Sequence, residues 1–226
     1  MRAYIFIVVV SFTSNVLASS HLVLTTWCSP PFSSPQQNGY FDLLLKEAFS
    51  RLGRNITIEQ RPAERSLKDA NNGVSDGEFL RVSDIGLLYP NLLIVAEPLY
   101  EMEFAAFSKM ENLTLPKNWE SLSKYNTGYV IGWKIIEENI AGVPGNVGVA
   151  NQEILFKLLD ANRFEIAIYS RNFGRQLIRT HALKNIYSAP QSLAVEPMYL
   201  FMHKRHKSLF PRPVKILKEV KKRKTF

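Results

Sequence analysis

Two carboxylates and an arginine lie close together in the segment Asp76-Gly77-Glu78-Phe79-Leu80-Arg81, at the end of a predicted strand. Asp76 and Glu78 are two residues apart, so in an extended strand their side chains share one face while Arg81 points to the other. All three can line one cleft only if the chain bends after Gly77, which glycine permits. As an acid pair, Asp76 and Glu78 would suit glycoside hydrolysis, in which one carboxyl group protonates the leaving group and the other attacks or activates water.

Other reactive side chains give weaker signals. Cys28 with one of the four histidines would make a thiol nucleophile and its base, but the sequence offers no third orienting group and no recognisable local motif. His203 and His206 lack the further ligands of a closed metal site, and no glycine loop that would cradle a phosphate is present. We therefore expect no catalysis, no metal and no cofactor. A secreted hydrolase that uses Glu78 and Asp76, or Cys28, is the alternative.

The elements that must position these residues alternate between strand and helix. Apolar residues at period two or in short runs predict strands, and apolar residues at helical spacing predict helices. Predicted strands cover 21–27, 55–60, 127–131, 147–150, 164–169 and 198–203, with further apolar runs at 92–95 and 102–107; predicted helices cover 41–52, 63–72, 119–125, 133–140, 172–180 and 213–222, with another that begins after Asn151. This order predicts an α/β fold with mostly parallel sheets, flanked by helices, and ligands at the carboxyl ends of strands.

The first residues have the pattern of a secretory signal. Arg2 precedes an apolar run over 3–10, and Val16-Leu17-Ala18 places small residues where a signal peptidase cuts. The apolar run is too short for a bilayer, which requires roughly 20 residues. We expect residues 1–18 to be removed after Ala18 and the mature protein to be periplasmic.

The net charge of +8 is concentrated at the C-terminus. Residues 204–226 hold ten of the 28 basic residues and one of the 20 acidic ones, so the rest of the chain has 18 basic and 19 acidic residues. We interpret the basic segment as a solvated helix face with a frayed end, and no nucleic acid partner is expected. Cys28 is the only cysteine, so no internal disulfide forms.

Several segments together resemble the extracytoplasmic solute-binding proteins of family 3, and more narrowly a branch of stand-alone members whose ligands are mostly unassigned. The matching segments are Gly39-Tyr40-Phe41-Asp42, the stretch from Asp76 to Arg81, Tyr89-Pro90-Asn91, Ala96-Glu97-Pro98-Leu99-Tyr100 and 151–160. The resemblance implies a type II periplasmic-binding-protein fold, in which two lobes close on a small polar, amino-acid-like solute. Lobe 1 would comprise 19–104 plus 191–226 and lobe 2 would comprise 105–190, with two crossover strands as the hinge. It also implies a monomer that serves uptake through a membrane permease or signalling through a sensor kinase.

The resemblance suggests which lobe 1 side chains contact the ligand. Trp27 and Phe32 flank the loop after the first strand, where the family commonly places an aromatic residue. An arginine of the family usually holds a ligand carboxylate, because its guanidinium group donates two parallel charge-assisted hydrogen bonds. That arginine would fall within 85–89, which contains none, so Arg81 is the first candidate and the neighbouring Arg65 the second.

Lobe 2 departs from the pattern of the family's amino-acid receptors. These often end the strand near Ile166 with an aspartate that holds the ligand ammonium, whereas this chain continues Ala167-Ile168-Tyr169-Ser170-Arg171. Either Glu78 or Asp76 replaces that aspartate, or the ligand is not a simple amino acid. Tyr169, and Asn151 at a helix start, are the remaining candidate contacts. Trp133 is possible too, although a tryptophan on a helix is more often a core residue.

Overall fold

A computed structural model describes residues 21–115, 118–210 and 212–223. The predicted signal segment, 1–18, lies outside these residues. No helix within the described ranges is long and apolar enough to cross a membrane.

Within the described residues, eight strands and seven α-helices alternate. The strands are β1 His21–Thr26, β2 Asn55–Gln60, β3 Gly77–Arg81, β4 Leu92–Ser108, β5 Thr127–Val130, β6 Val147–Val149, β7 Ile166–Ser170 and β8 Tyr187–His203. The α-helices are α1 Tyr40–Arg51, α2 Ala63–Asn71, α3 Ile85–Leu88, α4 Lys134–Asn139, α5 Gln152–Asp160, α6 Arg171–Thr180 and α7 Arg212–Arg223. Two short 3-10 helices cover Trp119–Lys124 and Lys204–Leu209.

The strands form one sheet in the order β2-β1-β3-β8-β4-β7-β5-β6. β1 pairs in parallel with β2 and β3, and β5 pairs in parallel with β6 and β7. β4 and β8, 17 residues each, lie antiparallel to one another at the centre of the order. The sheet therefore has a parallel unit at each edge, and two long central strands join them.

The chain path divides the molecule into two lobes. The first lobe contains β1, β2 and β3, against which α1 and α2 pack. The chain then leaves along β4, builds the second lobe from β5 to β7 with α5 and α6, and returns along β8. The last helix, α7, packs on α1 and on β4, so both ends of the described chain belong to the first lobe. This confirms the predicted α/β class with two lobes joined by two strands.

The loop between β1 and α1 is fixed by a buried carboxylate. Asp42 accepts hydrogen bonds from the backbone amides of Ser34 and Gly39, both at 2.9 Å, and from the Ser33 hydroxyl at 2.6 Å. These bonds satisfy donors that a helix start leaves without partners. On the other face of α1, apolar residues at helical spacing are buried: Phe41, Leu44, Leu45, Ala48 and Phe49.

Candidate ligand-binding cleft

Aromatic rings from both lobes meet where the lobes face each other. Trp27 follows β1 in the first lobe, and Trp133 precedes α4 in the second; their ring centroids are 4.4 Å apart. Tyr169, at the end of β7, stacks on Trp133 with centroids 4.6 Å apart. Phe32 of the first lobe contacts Phe173 of the second with centroids 4.0 Å apart. The lobes are thus closed on one another through an aromatic interface.

A small cavity remains beside the two tryptophans, and we call it the inner chamber. Its volume is about 20 Å³. Because a water molecule requires roughly 10–15 Å³ measured in this way, the chamber has room for one water or one small group. Its walls come from both lobes and from the two central strands: Trp27, Leu80, Arg81, Val82, Ile85, Phe104, Trp133, Lys134, Ile135 and Met198.

Arg81 is the charged group at the first-lobe wall of this chamber, and it is 3% exposed. Its Nε donates to Glu78 Oε1 at 2.6 Å, and its Nη2 donates to the same oxygen and to the carbonyl of Ala63 at 2.7 Å. Glu78 itself is fully buried. Burial raises the pKa of Glu78 to about 7, although Arg81 acts in the opposite direction.

A backbone irregularity brings Glu78 and Arg81 together. The pairing of β3 with β8 shifts register between Phe79 and Arg81, and the intervening Leu80 has a φ of 65°. A left-handed conformation is uncommon for a leucine, and its cost is met by the surrounding contacts. The carbonyl of Leu80 accepts a hydrogen bond from Trp27 Nε1 at 3.4 Å. The bend that the sequence placed after Gly77 is therefore located at Leu80.

Two polar contacts link the lobes next to the inner chamber. Arg81 Nη1 donates to the carbonyl of Gly132 at 2.8 Å. Lys134 Nζ lies 2.7 Å from Glu64 Oε2 across the cleft and 2.7 Å from Glu137 Oε2 on its own helix. Burial opposes the charge of Lys134, but Glu137 and Glu64 together raise its pKa. Arg81 and Lys134 therefore each hold a group of the opposite lobe.

A second cavity of about 210 Å³ adjoins the first, and we call it the outer chamber. The two chambers share Val82, Ile85, Lys134 and Ile135 in their walls. Three carboxylates line the outer chamber together with Lys134: Asp84, Glu138 and Glu196. The site thus has an aromatic inner end and an acidic outer end.

Of the residues that the sequence suggested, Trp27 and Arg81 line the inner chamber. Glu78 accepts a hydrogen bond from Arg81, and Tyr169 stacks on Trp133. Phe32 contacts the second lobe but contributes to neither chamber wall. The structure brings these five side chains to one region between the lobes.

The other three candidates lie elsewhere. Arg65 has a side chain 69% exposed and pairs with Asp69 on α2. Asp76 accepts from the backbone amide of Val23 at 2.7 Å and pairs with Arg205 and His206 near the second 3-10 helix. Asn151 caps α5 by accepting from the amide of Ile154 at 2.9 Å. Asp76 and Glu78 consequently have separate partners and form no carboxylate pair.

Lys134, Phe104, Met198 and the acids of the outer chamber were not among the sequence candidates, whereas Trp133 was a possible contact for which a core role was favoured. A local signal for two of them exists, since Gly132-Trp133-Lys134 follows directly on the predicted strand 127–131. Loops at the ends of parallel strands are the preferred place for ligand contacts. The others lie on the long strands β4 and β8, in the turn at Asp84 or, for Glu138, on the exposed face of α4, where sequence pattern gives no such signal.

The remaining reactive groups are not arranged for catalysis. Burial raises the pKa of the Cys28 thiol well above its ordinary value, and no described histidine hydrogen-bonds to it. The described part of the chain also contains no group of three histidine, cysteine or acidic residues that could hold a metal ion. Neither the thiol nor the acid-pair arrangement of a hydrolase is therefore supported.

Comparison with solved structures shows that this architecture is the type II fold of periplasmic binding proteins. The chain superimposes on arginine-bound ArgBP from T. maritima, in a point mutant, with a TM-score of 0.74 and 15% identity over 88% of this chain and 95% of that one. AbpA, an amino acid ABC transporter substrate-binding protein from Streptococcus pneumoniae bound to L-arginine, gives a TM-score of 0.74 and 14% identity over 90% of each chain.

A histidine kinase sensor domain with similarity to periplasmic binding proteins gives the same TM-score of 0.74, with 15% identity over 90% of this chain and 91% of that one. In sequence, the chain is 27% identical over 191 residues to an uncharacterized protein of Shewanella oneidensis. The alignment covers 79% of this chain and 70% of that protein. No protein-family model matches the sequence.

Proposed function

We propose that this protein is a solute-binding protein that captures a small organic solute between its lobes. The observation that carries the proposal is the hydrogen bond from Arg81 of the first lobe to the carbonyl of Gly132 in the second, next to two chambers walled by both lobes. A cleft that closes around a solute excludes water and strengthens each polar contact within it. The structural neighbours that bind arginine are consistent with this role.

The lobe boundaries follow from the same proposal. Lobe 1 comprises 19–104 plus 191–226, lobe 2 comprises 105–190, and the hinge lies where β4 and β8 cross between them. The register of the two strands shifts between Val95 and Tyr100, so this segment lacks continuous pairing and is suited to absorb a rotation. Membership of solute-binding family 3, in its stand-alone branch, belongs to the proposal too.

The role in the cell follows from export. We place the mature protein in the periplasm as a monomer, after cleavage behind Ala18, and propose that it delivers its solute to the permease of an ABC importer or presents it to a sensor kinase. Neighbours of both kinds share the fold. The protein acts without a cofactor and without catalysing a reaction.

Among the residues, we propose that Trp27 and Arg81 contact or enclose the solute from the first lobe, and that Trp133 and Lys134 do so from the second. Tyr169 and Phe32 hold the aromatic interface in place. Ligand roles for Arg65, Asp76, Glu78 and Asn151 stay predictions of the sequence.

The test is a thermal-shift screen of the purified protein against amino acids, polyamines, organic acids and short peptides. A solute that binds only the folded state at 100 times its Kd stabilises it by about 2.7 kcal/mol, so a true ligand raises the Tm. The expected result is a saturable rise in Tm with one chemical class, and a fall in the radius of gyration measured by X-ray scattering. The proposal is contradicted if a solute is chemically converted by the protein. It is also contradicted if none of the solutes changes the Tm or the radius of gyration.

A further inference from the structure

The guanidinium group at the cleft is already occupied by the protein. Arg81 uses four of its five N–H donors for Glu78 and for the carbonyls of Ala63 and Gly132. Gly132 belongs to the opposite lobe, so these bonds are complete when the lobes are closed. A ligand carboxylate in the closed cleft therefore finds no bidentate guanidinium partner.

The second cation of the cleft is also occupied. Lys134 lies between Glu64 and Glu137, at 2.7 Å from each carboxylate. No other lysine or arginine lines either chamber among the described residues. A carboxylate that enters the cleft would lose its hydration without gaining a free counter-charge, which is strongly unfavourable.

The outer chamber has an excess of negative charge. Glu138 and Glu196 form no ion pair within the described part of the chain, and the Asp84 carboxylate accepts a hydrogen bond from the hydroxyl of its neighbour Ser83. The chamber's volume of about 210 Å³ is more than ten times the roughly 10–15 Å³ that one water molecule requires, which suffices for a small organic cation.

Aromatic residues line the inner chamber, and one of them carries an unsatisfied donor. Trp27 and Trp133 both contribute to its wall, which therefore suits the apolar or aromatic part of a solute. Trp133 is 4% exposed, and its Nε1 has no hydrogen-bond partner in the described structure. This N–H can be satisfied by a neutral acceptor, such as a hydroxyl oxygen or one water molecule.

From these observations we infer that the cleft takes an organic amine without a carboxylate group, rather than an α-amino acid. The amine lies towards Asp84, Glu138 and Glu196, and the rest of the solute lies towards the two tryptophans. This inference rests on the proposed function, because it specifies the solute of the same cleft.

Matched pairs of solutes test the inference by calorimetric titration of the purified protein. Each pair consists of an amino acid and its decarboxylated amine: arginine and agmatine, ornithine and putrescine, phenylalanine and phenethylamine. We expect at least one amine to bind, and to bind at least tenfold more tightly than its parent. If a parent amino acid binds as tightly as its amine, or more tightly, the inference is wrong while the solute-binding proposal stands.

Two further outcomes separate the proposals. If no member of the three pairs binds but an organic acid or a peptide raises the Tm, the inference is overturned and the solute-binding function is retained. If no solute of the whole screen binds, both are overturned.

A double variant tests whether the carboxylates of the outer chamber bind the amine. The double substitution Glu138→Gln and Glu196→Gln removes two charges at half-buried or exposed positions, where it should leave folding intact. We expect the affinity for the tightest amine to fall about tenfold or more, and the loss to shrink at high salt. Glu111→Gln is the matched control, because Glu111 is exposed and lines neither chamber. Equal amine affinity in the double variant and the control would overturn the assignment.

Discussion

Glu78 makes stability depend on pH in a direction opposite to that of an ordinary ion-paired acid. Burial raises its folded-state pKa from 4.5 to about 7. A group of this kind stabilises the fold fully below its unfolded pKa, and the contribution is lost as the pH rises through the folded pKa. Between pH 4.5 and pH 7.5 the loss is about 3 kcal/mol, at about 1.4 kcal/mol per pH unit.

Glu78→Gln should remove this pH dependence. Because the native side chain is largely protonated and neutral below about pH 7, we expect the neutral amide to change stability least at low pH. The informative quantity is the slope of the unfolding free energy, measured by urea denaturation, against pH from 4.5 to 8. That slope should be more negative in the native protein and in Glu111→Gln than in Glu78→Gln. Three equal slopes would contradict the raised pKa.

The sequence indicated which residues belong to the site, but not which groups their side chains contact. It singled out Arg81, Glu78 and Trp27, because charged side chains cluster at a predicted strand end and the resemblance implies an arginine and an aromatic residue at the cleft. It did not reveal that Arg81 bonds to Gly132, 51 residues away, since that contact depends on how the two lobes are placed. Likewise, Asp76 was grouped with Glu78 by spacing, but its partners Arg205 and His206 come from the far end of the chain.

The turn between β5 and α4 controls how closely the lobes approach. Gly132 has a φ of +91°, and a Cβ built on it would lie 2.3 Å from the backbone nitrogen of Glu64 in the opposite lobe. Because backbone atoms cannot shift as a flexible side chain does, Gly132→Ala must separate the turn from α2. The separation would break the bond from Arg81 to the Gly132 carbonyl.

We therefore expect Gly132→Ala to fold, to show a larger radius of gyration by X-ray scattering, and to bind any solute of the cleft at least tenfold more weakly. Gly142→Ala is the matched control, since nothing lies within 4 Å of a Cβ at that position. An unchanged affinity in Gly132→Ala would show that solute binding does not require this closed arrangement.

Most elements were predictable from local pattern, and the largest exception is the length of the two central strands. The runs 92–95 and 102–107 were expected as separate strands, whereas the structure has one strand, Leu92–Ser108. The intervening residues include Glu97 and Pro98, which disfavour a strand locally. Pairing with β8 on both sides of the register shift keeps the chain extended through this segment. Tertiary pairing, which a single segment does not encode, therefore set the length of the two central strands.

The balance between open and closed forms is a property of the whole molecule, and the Lys134–Glu64 ion pair contributes to it across the cleft. The two side chains are 17% and 25% exposed, so their attraction is partly screened and is worth about 1 kcal/mol at most. Lys134→Met should shift the population towards the open form by a few-fold.

Lys68→Met is the matched control, because Lys68 pairs with the same Glu64 at 3.2 Å but within one lobe. Energy transfer between dyes on Val74→Cys and Ile154→Cys, one exposed site in each lobe, reports the opening. These dyes attach selectively, since the native Cys28 is buried and its pKa is raised. We expect lower transfer efficiency in Lys134→Met than in the native protein or in Lys68→Met. If both lysine variants lowered it equally, Glu64 would act through the stability of α2, and the ion pair across the cleft would have no part in closure.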